Sequence, residues 1–141
     1  RPGRRGDPPA HWTGEQDRQA GQKMSELAEI GDFSGALAMA EEILRDDQGD
    51  GAARRMRERC RTVLLQMYES RLGPLERTPR LAIAEKELIW RNLDPVSGFV
   101  LSRVDGFSTF EDIIDVSSLP RFETCRILDQ LFQDGLLAVD R

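Results

Sequence analysis

Histidine is almost missing from this chain: among 141 residues there is one, His11. It lies in a stretch rich in Arg, Pro and Gly, where no general base could be held in place. Cysteine is scarce too, with only Cys60 and Cys125. One histidine and two cysteines fall short of the usual four-ligand zinc site. Two cysteines do not make a disulfide framework. Both sit inside helical patterns and are expected as small buried hydrophobes, and reduced thiols point to the cytoplasm. Long apolar runs are missing as well. No apolar-rich run, Phe99–Leu101 included, approaches the roughly 20 residues that a spanning helix needs. No membrane insertion is expected. No secretory signal opens the chain, and its start at Arg1 rather than Met marks it as an expected piece of a longer protein.

The motifs of catalysis are absent in the same way. There is no Gly-rich phosphate loop, no G-x-S-x-G and no His-based dyad. Asp46, Asp47 and Asp50 lack the spacing and the final glutamate of a calcium loop. Carboxylate pairs such as Glu41-Glu42 and Glu111-Asp112 are frequent, but neighbours on a helix point in different directions. They read as solubilising charge. The expectation is no enzyme, with no catalytic, cofactor-binding or metal residues and no cofactor.

What is present is helical periodicity. Residues 1–12 carry Arg1, Arg4, Arg5, two glycines and three prolines, the composition of a flexible tail. Thr13 and Gln16 then have capping-box spacing. Ala20, Met24, Leu27 and Ala28 form one apolar stripe, which Gly31-Asp32 ends. Phe33, Ala36, Leu37, Ala40, Ile43 and Leu44 form a second stripe. After the polar break Asp46–Gly51, a third helix is expected over about Ala52–Arg71, with Met56, Cys60, Val63, Leu64, Met67 and Tyr68 on its inner face. Gly73-Pro74 closes it.

This region, 13–71, resembles a tetratricopeptide repeat through Ala20, Met24, Leu27, Gly31, Phe33, Ala36, Leu37 and Ala40. Gly31 and Phe33 sit where that family has its turn glycine and its aromatic residue. The family's closing proline is replaced: Gln48 stands near its place. The resemblance covers about one repeat, with the third helix as cap. A single repeat cannot bury its own face. A partner or neighbouring domain is therefore expected on Ala20, Met24, Leu27 and Ala36.

Residues 72–80, with Gly73, Pro74 and Pro79, are expected as a linker. The module 81–141 changes rhythm. Leu81-Ala82-Ile83 is a candidate strand, and Leu88-Ile89-Trp90 a second strand or a helical turn. Asp94-Pro95 starts a helix as cap and first residue, carrying Phe99, Val100, Leu101 and Val104 up to Gly106. Ser108 or Thr109 caps a helix with Phe110, Ile113, Ile114 and Val116. Ser118 is expected to cap the next, with Phe122, Cys125, Ile127, Leu128, Leu131 and Phe132. Gly135 ends it, and Leu136–Val139 reads as a closing strand. Phe99, Ile113, Leu128, Leu131 and Phe132 are expected to share one core.

Strand, three helices and strand is the order of a winged helix. The segments Leu101–Gly106, Phe110–Ile114 and Ile127–Leu137 resemble winged-helix modules of bacterial signalling proteins, and equally the small domains that recognise leader peptides. The resemblance implies a fold and leaves the ligand open, since winged helices bind DNA, proteins and peptides.

Charge is segregated along the chain. Net charge is +2 over 1–14, −7 over 15–50, +5 over 51–80 and −5 over 81–141. The basic block is Arg54, Arg55, Arg57, Arg59 and Arg61, a possible footprint for nucleic acid and otherwise a solvated face that balances the acidic hairpin. The helix Pro120–Asp134 sets Arg121 and Arg126 against Glu123, Asp129 and Asp134. That balance repels a DNA backbone and ranks nucleic acid below protein.

The expected fold is mainly α: a repeat-like hairpin with a capping helix, plus a small α+β winged-helix module. The expected function is protein–protein interaction, as an adaptor module of a larger bacterial regulatory or assembly protein. Candidate partner-binding residues are Ala20, Met24, Leu27, Ala36, Arg121 and Arg126. Two alternatives are nucleic-acid binding, through the winged helix or Arg54–Arg61, and capture of an extended peptide by strand addition beside Leu81–Ile83.

Overall fold

The computed structural model describes residues 14–88 and 91–139. The tail 1–12 with His11, the Thr13 half of the capping box, and Ile89 and Trp90 lie outside the described residues. The chain is mainly helical, with a small two-stranded antiparallel sheet. It divides into two compact units between Leu64 and Leu65.

The first unit holds α1 (Gly14–Glu29), α2 (Phe33–Asp46) and the part of α3 (Gly51–Leu72) that runs up to Leu64. Gly31 has φ +85°, a conformation that costs other residues. It lets Gly31 N donate to Ala28 O at 3.1 Å and Asp32 N to Leu27 O at 2.8 Å, closing the last carbonyls of α1. Asp32 then caps α2, its Oδ1 accepting from Gly35 N at 2.8 Å. Asp50 opens α3 in the same way, accepting from Ala53 N at 2.9 Å. One core joins Met24 of α1, Ala40, Ile43 and Leu44 of α2, and Ala53 of α3. Ala36, Ala40 and Ala53 are fully buried. Their small size brings the helix backbones close, so the larger Ile43 and Leu44 fill the remaining space. Each such large side chain contributes roughly 1.5–3 kcal/mol on burial.

The second unit begins with the last turns of α3. The stretch 72–80, expected as a linker, makes specific bonds within this unit. Arg77 donates from its guanidinium to Leu72 O. Phe110 N donates to Arg77 O and Glu111 N to Leu75 O, both at 3.0 Å. Pro79 is buried. Pro and Gly here shape a built turn, which composition alone does not separate from a tether.

Strand β1 is Pro79–Leu81, two residues earlier than expected, and β2 is Leu137–Val139. Their register pairs Pro79 with Val139, Arg80 with Ala138 and Leu81 with Leu137. Pro79 is tolerated because it opens a strand at a sheet edge, where its missing N–H is not needed. Between the strands come α4 (Glu85–Leu88), α5 (Pro95–Leu101), α6 (Phe110–Val116) and α7 (Arg121–Gln133). Asp94 caps α5, accepting from Ser97 N at 2.9 Å. Thr109 and Asp112 form a reciprocal capping box on α6. Ser118 is not the cap of α7. Ser117 closes α6, and Ser118 turns the chain at φ +58°, leaving Pro120 at the cap position with no side-chain bond. Gly135, at φ +79°, ends α7 with the same pair of bonds as Gly31. Val100, Phe110, Ile113, Leu128, Leu131 and Leu136 are buried at the centre of this unit.

Candidate functional site

The expected open face of the helical hairpin is largely closed. Met24 is packed against Ala40, Ile43, Leu44 and Ala53, and Ala36 is fully buried. Ala20 and Leu27 are half-buried. The reason is the run of alanines on α2 and Ala53 on α3. They let α3 approach closely enough to cover what a lone repeat would leave open. Met24 and Ala36 are therefore core residues, out of reach of any partner of the folded unit.

The five clustered arginines of α3, Arg54, Arg55, Arg57, Arg59 and Arg61, do not act as one face. Arg61 pairs with Glu41 of α2 at 3.6 Å, and Arg57 with its neighbour Glu58 at 3.5 Å. Arg59 lies over the Phe33 ring at 5.8 Å. Arg54 and Arg55 are exposed and, among the described residues, make no ion pair. A phosphate-tracking surface would need them to converge. Here the block is divided among contacts to α2, a pair within α3 and open solvent.

Arg121 is tied down rather than presented. Its Nε donates to Glu69 Oε1 at 3.0 Å, and Nη1 and Nη2 donate to the two Glu111 oxygens at 2.9 and 3.2 Å. One guanidinium thus joins the end of α3, the start of α6 and the start of α7. Bidentate pairing of this kind is the strong form of the interaction. The bonds to Glu111, then those to Glu69, hold Arg121 more firmly protonated than a free arginine. They also hold the Glu111 carboxyl below its usual range. Charge reversal here would disturb the fold, so Arg121 does not serve as a free recognition residue. Two more contacts fasten α3 in this unit. Arg71 Nη1 pairs with the buried Asp129 Oδ2 at 3.1 Å, and the Tyr68 and Phe122 rings sit 5.7 Å apart. Arg126 stays exposed and pairs within its own helix with Glu123.

Large apolar side chains reach solvent singly at Ile30 and Val116, and three more follow one another along α5 and the segment after it. Val96 is 45% exposed, Phe99 37% and Phe107 88%. Phe99 was expected in the core. Three consecutive apolar residues, Phe99, Val100 and Leu101, spread over about 200° of helix surface. Val100 and Leu101 take the inner positions, and Phe99 turns out. Val96 and Phe99 stand at the i, i+3 spacing of one face of α5, and Arg103 follows just past the helix end. The Arg103 guanidinium lies 4.9 Å over the Phe99 ring, a cation–π arrangement. Among the described residues no carboxylate pairs with Arg103.

Phe107 is displayed by a stiff turn. Asp105 Oδ1 accepts from Phe107 N at 2.8 Å and from Ser108 N at 2.7 Å, and Oδ2 from Ser108 Oγ at 3.1 Å. These bonds, the one from Ser108 N first, lower the Asp105 carboxyl below its usual range. Asp94, at the start of α5, is lowered by bonds from Ser97 and, to a smaller extent, by the nearby charge of Arg126. Asp94 is thus engaged as a helix cap and Asp105 as the acceptor of its turn. Periodicity missed Val96, Arg103 and Phe107. The available signal was local: an aromatic residue inside an Asp-Gly-Phe-Ser-Thr turn, outside any helical stripe.

Chemistry elsewhere is limited. Burial pushes the Cys125 thiol up to about 11 and raises that of Cys60, against the opposing charge of Arg59. Neither is poised as a nucleophile. Among the described residues no three His, Cys, Asp or Glu side chains gather to hold a metal, and no helix is long and apolar enough to cross a membrane. No protein-family model matches this chain, and no curated protein and no solved structure matches it.

Proposed function

We propose that this chain is a non-enzymatic protein-binding module that presents Val96, Phe99 and Phe107 to a partner protein. The observation that carries this reading is Phe107. A phenylalanine at 88% exposure, held out by a turn that three hydrogen bonds stiffen, gains nothing for the fold. Exposed aromatic side chains on rigid supports are the usual anchors of protein interfaces. The winged-helix resemblance of 81–141 and the repeat resemblance of 13–71 fit an adaptor within a larger bacterial regulatory or assembly protein. The buried, reduced cysteines fit the cytoplasm.

A photo-crosslinking residue at position 107, compared with one at the exposed polar Gln130, tests this in cells. The protein captured at 107 is then purified. Its binding to the Phe99→Ser/Phe107→Ser variant should be at least about tenfold weaker, the effect of removing interface anchors. Equal affinities for both forms overturn the proposal.

A second reading, capture of an extended peptide, rests on the sheet. Ala82 N donates to Leu136 O at 2.9 Å. By the alternation of antiparallel bonding, Arg80 and Ala82 face β2, and the Leu81 N–H and C=O face away. An added strand could use them. Nucleic acid ranks third, because the arginines that would track phosphates are divided among other contacts.

A further inference from the structure

We infer that α5 and the arginine just after it select an acidic amphipathic segment of the partner, whose apolar side chains cover Val96 and Phe99 while a carboxylate pairs with Arg103. This deepens the protein-binding reading and rests on it.

The charge argument centres on Arg103. Its guanidinium carbon lies 4.9 Å from the centre of the Phe99 ring and has no carboxylate partner among the described residues, although acids are plentiful in this unit. The acids nearest in sequence are already used: Asp94 accepts from Ser97, and Asp105 from Phe107 and Ser108. A guanidinium beside a ring keeps N–H donors free to meet a planar carboxylate. Covering Val96 and Phe99 with apolar groups alone would strip water from Arg103 without replacing the lost hydrogen bonds, which opposes binding. A cationic group set beside Arg103 itself would add repulsion. A partner that brings a carboxylate beside its apolar side chains satisfies both needs.

The test is selection of peptides from a random dodecamer phage library on the full chain, followed by affinity measurement with the synthesised winners. Enrichment of Asp or Glu among Leu, Phe and Trp is expected. Affinity should fall roughly tenfold in Arg103→Gln, the scale of one charge-assisted hydrogen bond, and more in Phe99→Ser/Phe107→Ser. Arg103→Gln should melt as the parent does, because the side chain is exposed. Winners that depend on Phe99 and Phe107 but are neutral or basic, and that ignore Arg103→Gln, overturn the acidic selectivity and leave the protein-binding reading standing. Winners that ignore Phe99→Ser/Phe107→Ser overturn both.

Discussion

The two units use different means to become rigid. The first is built from long helices joined by tight turns, and its core is made close by alanines: Ala36, Ala40 and Ala53 are all fully buried. Its cross-helix polar contacts are few and peripheral, such as Arg61 with Glu41. The second is built from short pieces, with two helices of seven residues and two strands of three. None of these could persist alone, since isolated helices under about 12 residues are marginal. They are held by side chains that bond backbone, at Asp94, Asp105, Thr109 and Asp112, and by charges that reach across elements, at Arg121 and Arg71. Long elements can rely on apolar stripes. Short ones need a specific polar bond at almost every end. That second design also leaves a rigid turn free to display Phe107.

If this contrast is right, the two cores should fail in opposite ways. Leu128 is fully buried in the second unit. Leu128→Ala should destabilise that unit by about 2–5 kcal/mol through the void it leaves. A small domain has little reserve, so this approaches its whole stability. Ala40 of the first unit is the mirror case. Ala40→Leu leaves no void and instead forces α2 away from its neighbours, at a cost of about 1–3 kcal/mol. Amide hydrogen exchange separates the outcomes. Leu128→Ala should deprotect α7 and spare Ala36–Leu44, and Ala40→Leu should do the reverse. Equal loss of protection in both units from either change would erase the distinction.

The same contrast governs what could be read from the sequence. The stripes of α1, α2 and α3 were legible because each repeats over several turns, and Gly31 marked the turn between the first two. Asp94, Thr109 and Gly135 were legible as caps because their chemistry is local. Three features were not. Phe99 was placed in the core because it shares a short helix with Val100 and Leu101, and seven residues give too few repeats to choose which faces out. The position of β1 slipped by two residues because three-residue strands carry no period. Arg121 read as a surface charge because its partners, Glu69 and Glu111, lie 52 and 10 residues away. The alanines that close the first unit were visible one by one. Their effect, covering Met24, depends on the approach of α3 and is not written in any single stripe.

Arg121 gives a milder way to sharpen the comparison. Arg121→Met removes the ties to Glu69 and Glu111 and keeps the stem. The side chain is 40% exposed, so screening limits the loss to about 1 kcal/mol. The variant should also change the response to acid. The Glu111 carboxyl is held below its ordinary value, chiefly by the hydrogen bond from Arg121. A carboxylate with a depressed folded value stabilises fully above its unfolded value, and that contribution disappears as pH falls through the folded one. Melting of the second unit should therefore drop on acidification below about pH 4.5. The drop should be smaller in Arg121→Met, because part of what acid removes is already gone. Asp94 and Asp105 keep their hydrogen bonds in that variant and supply the remainder. Identical acid profiles for the two proteins would deny Arg121 its role as a tie.

The smallest effect on stability is expected at Phe107, and it bears most directly on function. A side chain that packs against nothing can be replaced at almost no cost, within about 0.5 kcal/mol. Phe107→Ser should therefore melt with the parent, because the turn that carries it is made by Asp105 and the backbone, and neither changes. Asp105→Ala supplies the contrast. It removes the acceptor for Phe107 N, Ser108 N and Ser108 Oγ together, loosening the turn while leaving the phenyl ring in place. If the ring is a presented anchor, Phe107→Ser should lose partner binding at constant stability. Asp105→Ala should weaken binding less, through the cost of ordering a looser turn on association. If instead Phe107 clasps the fold, the order of the two variants in melting reverses: Phe107→Ser falls below the parent and its binding loss tracks its instability. Melting and affinity measured side by side on these two variants separate a ring that the fold displays from a ring that the fold needs.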